Sequence, residues 1–128
     1  MVAWAEYKSQ AKARGALALE LFVAHSAPAK EPEVLKAILP EHLAYQAELE
    51  RAGKLAFAGP LSDESGEHMQ GVGMIVYRAE SLEVARALAS EDPMHKSGAR
   101  TFTIRRWLIN EGSFTLQVGL STGGAILG

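Results

Sequence analysis

Residues 54–79, KLAFAGPLSDESGEHMQGVGMIVYRA, decide the fold. Lys54 to Leu61 reads as a strand ending in Gly59-Pro60. Met69 to Ala79 reads as another, with Met74, Ile75, Val76 and Tyr77 at its heart. The segment Ser62-Asp63-Glu64-Ser65-Gly66-Glu67 between them is turn chemistry, because Ser and Asp bond their own backbone and Gly accepts reversed dihedrals. The two strands therefore form a hairpin.

The flanks place this hairpin in a larger order. Upstream, Leu17, Leu19, Leu21 and Val23 alternate with Ala18, Glu20, Phe22 and Ala24, giving a strand over about residues 16–26 whose Leu/Val face is the strongly apolar one. Pro28 and Pro32 bound a loop, and Pro32 suits the first turn of a helix. Residues 33–52 carry Leu35, Ile38, Leu39, Leu43 and Leu49 at helical spacing. Pro40 is expected to break or kink that segment, so that the main helix starts at Glu41, and Gly53 caps its end.

Downstream, Ser81 is an N-cap for a helix over 82–90 with Leu82, Ala85, Leu88 and Ala89 inward. Glu91-Asp92-Pro93 reads as a loop. Arg100 to Asn110 is a fourth strand, Glu111-Gly112 turns the chain, and residues 113–120 alternate as a last strand. The order is β-α-β-β-α-β, the split βαβ arrangement of a ferredoxin-like antiparallel sheet, with an extra C-terminal strand. This is one α+β domain over residues 16–120. Residues 1–15, with Trp4, Tyr7 and Ala11 in a stripe, read as an N-terminal helical extension, and the small-residue tail 121–128 as loose. The sheet face away from the helices is expected to hold Phe22, Trp107 and small residues. An apolar face of that kind meets a partner, and a homodimer is the economical solution.

Composition bounds the function. With 128 residues, 48% of them hydrophobic and 22% charged, the chain is sized for one core. A net charge of −2 does not favour capture of nucleic acid or anionic lipid. The absence of cysteine excludes disulfides, thiolate metal sites and thiol nucleophiles. No apolar run reaches the roughly 18–20 residues that span a bilayer, and residues 1–14 lack the apolar core of a secretory signal. A cytoplasmic location is expected.

Among the four histidines, His42 falls on the helix face of Leu35, Ile38, Leu39 and Leu49. An imidazole there must find a partner, because an unpaired polar group is costly to bury. A core histidine bonded to a backbone carbonyl is the plain reading. Asp92 extends the buried face of the second helix just past its end, and the plain reading for it is an Asp-Pro turn. Both helices cover one sheet face, so the two side chains are able to meet. A carboxylate behind an imidazole fixes its tautomer, the arrangement of a general base. His95, three residues beyond Asp92, either helps to bind a ligand or lies in solvated loop; His25 and His68 are expected at the surface. His42, Asp92 and His95 lack metal-ligand spacing, so no metal is expected. Gly71-Val72-Gly73 opens a strand rather than a helix and is no dinucleotide loop, and no serine sits in a nucleophile elbow.

The segments Glu41-His42-Leu43-Ala44-Tyr45, Gly53-Lys54-Leu55 with Ala58-Gly59-Pro60-Leu61, Asp92-Pro93 with Ser97-Gly98, and Ile104-Arg105-Arg106-Trp107 together resemble the YCII-related (YciI-like) family. The resemblance covers about residues 16–120. It implies a ferredoxin-like fold associating as a dimeric α+β barrel, and a His–Asp pair, here His42 and Asp92, as active site. One branch of the family resembles a dehydrochlorinase acting on chlorinated hydroxyhydroquinones. The reading that results is a cofactor-independent small-molecule enzyme of elimination or isomerisation type, with Gly59, Pro60 and His95 around the ligand. The alternative is a non-catalytic ligand- or protein-binding module in which the pair is structural.

Overall fold

A computed structural model describes all residues, 1–128. The central unit, Glu20–Trp107, carries the sheet and the helices that matter for function. Its elements are β1 (Leu19–Pro28), α2 (Pro32–Arg51), β2 (Leu55–Ser62), β3 (Met69–Tyr77), α3 (Leu82–Glu91), α4 (Pro93–Lys96) and β4 (Arg100–Ile109), preceded in the chain by α1 (Trp4–Ala13). The four strands lie in the order β2-β3-β1-β4, the ferredoxin-like sequence of neighbours, and β3 runs antiparallel to both β1 and β2. No helix is long and apolar enough to cross a membrane.

Three rows of residues cross the helix-facing side of this sheet, because side chains alternate and partners in register share a face. Phe22, Tyr77 and Leu55 form the first row, Ala24, Ile75 and Ala58 the second, and Ser26, Gly73 and Pro60 the third. Side-chain size falls from row to row. The first two rows, apart from the exposed Ala58, pack with Leu49, Ala85 and Ala89 of α2 and α3 into the core, with Tyr45, Leu82 and Leu88 around it. The third row is too small to fill the space beneath α2, and that deficit of volume positions the site described below.

Two breaks in the β2–β3 register shape this surface. The first lies between Leu55 and Phe57, so these residues, two apart, do not share a face: Leu55 packs on the core while Phe57 pairs with Val76 and is 61% exposed. The second lies between Pro60 and Ser62, opposite the Gly71 bend of β3. Gly71 has φ +86°, a backbone region that side chains disfavour, and a Cβ on Gly73 would come within 3.3 Å of the Gly59 carbonyl oxygen. The Gly71-Val72-Gly73 run therefore serves a bulged, closely approached strand.

Several elements differ from the sequence reading. Pro40 lies inside one continuous helix, α2, instead of ending it. It removes one N–H from the ladder, and flanking turns carry the helix through. The strong face of β1 is also reversed. Phe22, expected on the side away from the helices, is buried in the helix-covered core with Ala24. Leu17 and Leu19 are exposed and β1 begins only at Leu19, after Ala18 adopts φ +51°. The Leu/Val face thus loses Leu17 and Leu19 and keeps Leu21, which is buried. Asp92-Pro93 opens a short helical turn, α4, where a loop is expected.

The second unit comprises Met1–Leu19 and Leu108–Gly128. Helix α1 buries Ala11, and the Leu17 N–H donates to the Asn110 carbonyl at 3.0 Å. The expected last strand is shorter than its pattern. β5 (Leu116–Val118) pairs antiparallel with β6 (Ala125–Leu127) in a separate two-stranded sheet, so the tail read as loose supplies a strand. The Thr122-Gly123-Gly124 turn closes this hairpin, with Gly123 at φ +72°.

Candidate active site

Asp92 is held by the junction of two helices. It closes α3 and opens α4: its carbonyl accepts from the His95 and Lys96 N–H groups, and its Oδ1 accepts from the Met94 N–H at 2.9 Å. Pro93 at the first position of α4 fixes the chain in that geometry. The side chain of Asp92 is 1% exposed, so its carboxylate requires partners. His42 supplies one from the middle of α2. Its Nδ1 lies 2.8 Å from Asp92 Oδ1 and 2.9 Å from Oδ2. A carboxylate only accepts, so Nδ1 carries the proton and donates it, which makes Nε2 the free nitrogen of the neutral ring. The imidazole is 15% exposed, and Nε2 makes no hydrogen bond within the protein.

His42 borders a cavity of about 420 Å³. Leu39, His42, Leu43 and Gln46, spaced three and four apart along α2, form its roof. The small third row forms its floor: Ser26, Gly73 and Pro60, with Gly59, Ala58 and Gly71 beside them. Gly59 and Pro60 therefore border the cavity. The lining is mostly apolar with few polar groups, the usual character of a small-molecule site.

His95 is placed differently from either expectation. It neither borders the cavity nor lies in solvent. Its Nδ1 donates to the Ala89 carbonyl at 2.7 Å, so Nε2 is an acceptor and takes the Ser26 hydroxyl hydrogen at 2.8 Å. The ring packs on Phe102 at 4.6 Å between centroids. Burial pushes its pKa below the ordinary value, with the Ala89 bond opposing that shift. Its two nitrogens are thus both used, one on the Ala89 carbonyl and the other on Ser26. His25 and His68 are exposed, as expected, and His68 lies 3.4 Å from Asp63.

The sequence reading passed over Arg100, the first residue of β4. Its Nε donates to Ser26 Oγ at 2.9 Å and its Nη2 to the Ser26 carbonyl at 2.9 Å and to the Gly71 carbonyl. Arg100 also borders the cavity. Only its alternation within β4 was legible, and that does not say which carbonyls it meets. Two phenols complete the surroundings of Asp92. Tyr45 donates to the Leu88 carbonyl at 2.6 Å, and burial, followed by the Asp92 charge, pushes its pKa up to about 12. Tyr77 is fully buried with its hydroxyl unpaired, and the same two causes push it higher still.

A model of the YCII-related domain family matches residues 18–108. The chain belongs to the YCII-related domain family. The matched span of this YCII-related domain contains His42, Asp92, Arg100 and every residue around the cavity, while α1 and the β5–β6 hairpin lie outside it. The uncharacterized protein YjpA of Bacillus subtilis is 31% identical over 70 residues, 55% of this chain and 75% of that protein. The domain is also similar to a solved structure, the 5-chloro-2-hydroxyhydroquinone dehydrochlorinase of Burkholderia phenoliruptrix in complex with 2,5-dihydroxybenzoquinone. That similarity has a TM-score of 0.49 at 24% identity and covers 68% of this chain and 92% of that one.

Proposed function

We propose that this YCII-related protein is a small-molecule enzyme in which His42 Nε2 acts as the general acid/base and Asp92 orients the imidazole. One observation carries the reading: Nδ1 is committed to both oxygens of a buried carboxylate, while the opposite nitrogen is left free at the edge of an apolar cavity. A base so arranged removes a proton from a carbon acid beside a leaving group, or moves it to a neighbouring carbon and returns it there. Elimination or isomerisation is therefore the reaction class, and a small aromatic or lactone substrate is what the resemblance to the family implies. Gly59 and Pro60 wall the substrate, and the missing side chain of Gly59 lets a ring approach the backbone. The protein works as a homodimer.

The test is a panel of halogenated hydroxyaromatics and unsaturated lactones, followed by NMR with wild-type protein and with His42→Asn. Conversion of at least one compound by the wild type and of none by the variant supports the reading. Equal conversion by both contradicts it. A non-catalytic role has its own support in the second task of Asp92, which also caps α4 through the Met94 N–H.

A further inference from the structure

We propose that the cavity beside His42 takes small organic monoanions, a carboxylate or phenolate on an apolar body, and that Arg100 is the group that pairs with the charge. The proposal rests on the cavity being the substrate site and adds the charge of what enters it. Arg100 is the one cavity-lining side chain with a permanent charge, and no Asp, Glu or Lys borders the space. Its guanidinium is partly buried, and burial works against its charged form. Yet it forms no ion pair: its protein partners are the Ser26 hydroxyl and the Ser26 and Gly71 carbonyls, all neutral. Arginine cannot shed its proton in a protein, so a partly buried guanidinium without a counterion leaves its charge to be matched from outside.

The nearest acid does not fill that role. Asp92 acts on Arg100 only at a distance, and its carboxylate is sealed and occupied by His42 and the Met94 N–H. The hydrogen bonds that Arg100 does make fix its direction. Nε and Nη2 are tied to the ends of β1 and β3, which leaves Nη1 without a partner. Ser26 accepts from Arg100 with the oxygen whose hydrogen goes to His95, so His95 and the Ala89 carbonyl brace the guanidinium from behind. The half-buried, doubly bonded His95 thereby acts as a positioning residue for Arg100.

The experiment compares benzoate with benzamide, a neutral molecule of nearly the same shape, by titration at neutral pH, reading the amide shifts of Gly59, Gly71 and Gly73. A charge-assisted hydrogen bond is worth enough to give benzoate roughly tenfold to a hundredfold tighter binding to the wild type. Arg100→Gln is expected to remove that preference while benzamide binding stays, and Arg100→Lys to keep part of it. Benzamide binding as tightly as benzoate overturns the anion assignment but leaves the cavity as a binding site. Failure of both molecules to shift these glycines overturns the cavity reading itself. Because the benzoate-to-benzamide ratio is read on wild-type protein, the result stands even if Arg100→Gln does not fold.

Discussion

His42 on α2 and Asp92 at the α3–α4 junction, 50 residues apart in the chain, meet through Nδ1 at 2.8 and 2.9 Å from the two carboxylate oxygens. The same carboxylate also receives the Met94 N–H. Replacing Asp92 by Asn turns one acceptor into a donor facing His42 Nδ1–H or the Met94 N–H. In a site 1% exposed, that mismatch is expected to cost about 1–3 kcal/mol. The urea midpoint should fall while the m-value holds. An unchanged midpoint would mean the pair does not form in solution.

His95 gives the protein a pH dependence of known sign. Burial holds its folded pKa below the ordinary 6.5, so the unfolded chain binds the proton more readily. The stability it contributes is present above 6.5 and is lost as the pH falls from there through the folded value. Urea midpoints at about pH 7.5 and about pH 5.5 check this. The drop in wild type should exceed that in His95→Gln. Equal drops would assign the dependence to other groups.

What was legible follows from how local each signal is. The 54–79 hairpin and the Ser81 cap rest on turn and capping residues whose chemistry acts within a few positions; in the structure Ser81 Oγ accepts from the Val84 N–H. The meeting of His42 and Asp92 was legible because two helices on one sheet face bring their inward stripes together. The faces of β1 were not, since both are apolar and the choice depended on where the strand begins. The Leu55–Phe57 register break is likewise set by pairing with β3, which no spacing within β2 reveals. Arg100 stayed hidden because two of its partner groups are backbone carbonyls, which carry no residue signature, and the third, the Ser26 hydroxyl, lies far off in the chain.

Association is a prediction of the proposed homodimer. Phe57 and Met69 are 61% and 72% exposed at the β2–β3 side of the sheet, with Leu61 and Trp107 also exposed. Exposed apolar side chains gain from leaving water. Light scattering at micromolar concentration should return twice the 13.7 kDa chain mass. A monomer mass would contradict the dimer.

The cavity residues and most of the sheet fall in the unit Glu20–Trp107, whereas α1 belongs with the C-terminal hairpin. Deleting residues 1–15 should therefore leave a cooperative unfolding transition, with a modest fall in melting temperature. Loss of soluble protein would show that Trp4 and Tyr7 are needed to complete the core.

The most direct measurement is kcat/KM of His42→Asn relative to wild type, on a compound that the wild type converts. The Asn side chain still offers an N–H towards Asp92, so the melting temperature should stay within a few degrees. Asn has no titrating nitrogen to stand in for Nε2. Loss of a general base in a folded site should lower kcat/KM by about 100-fold or more. Retention of wild-type kcat/KM in folded His42→Asn would contradict the assignment of His42 as the acid/base.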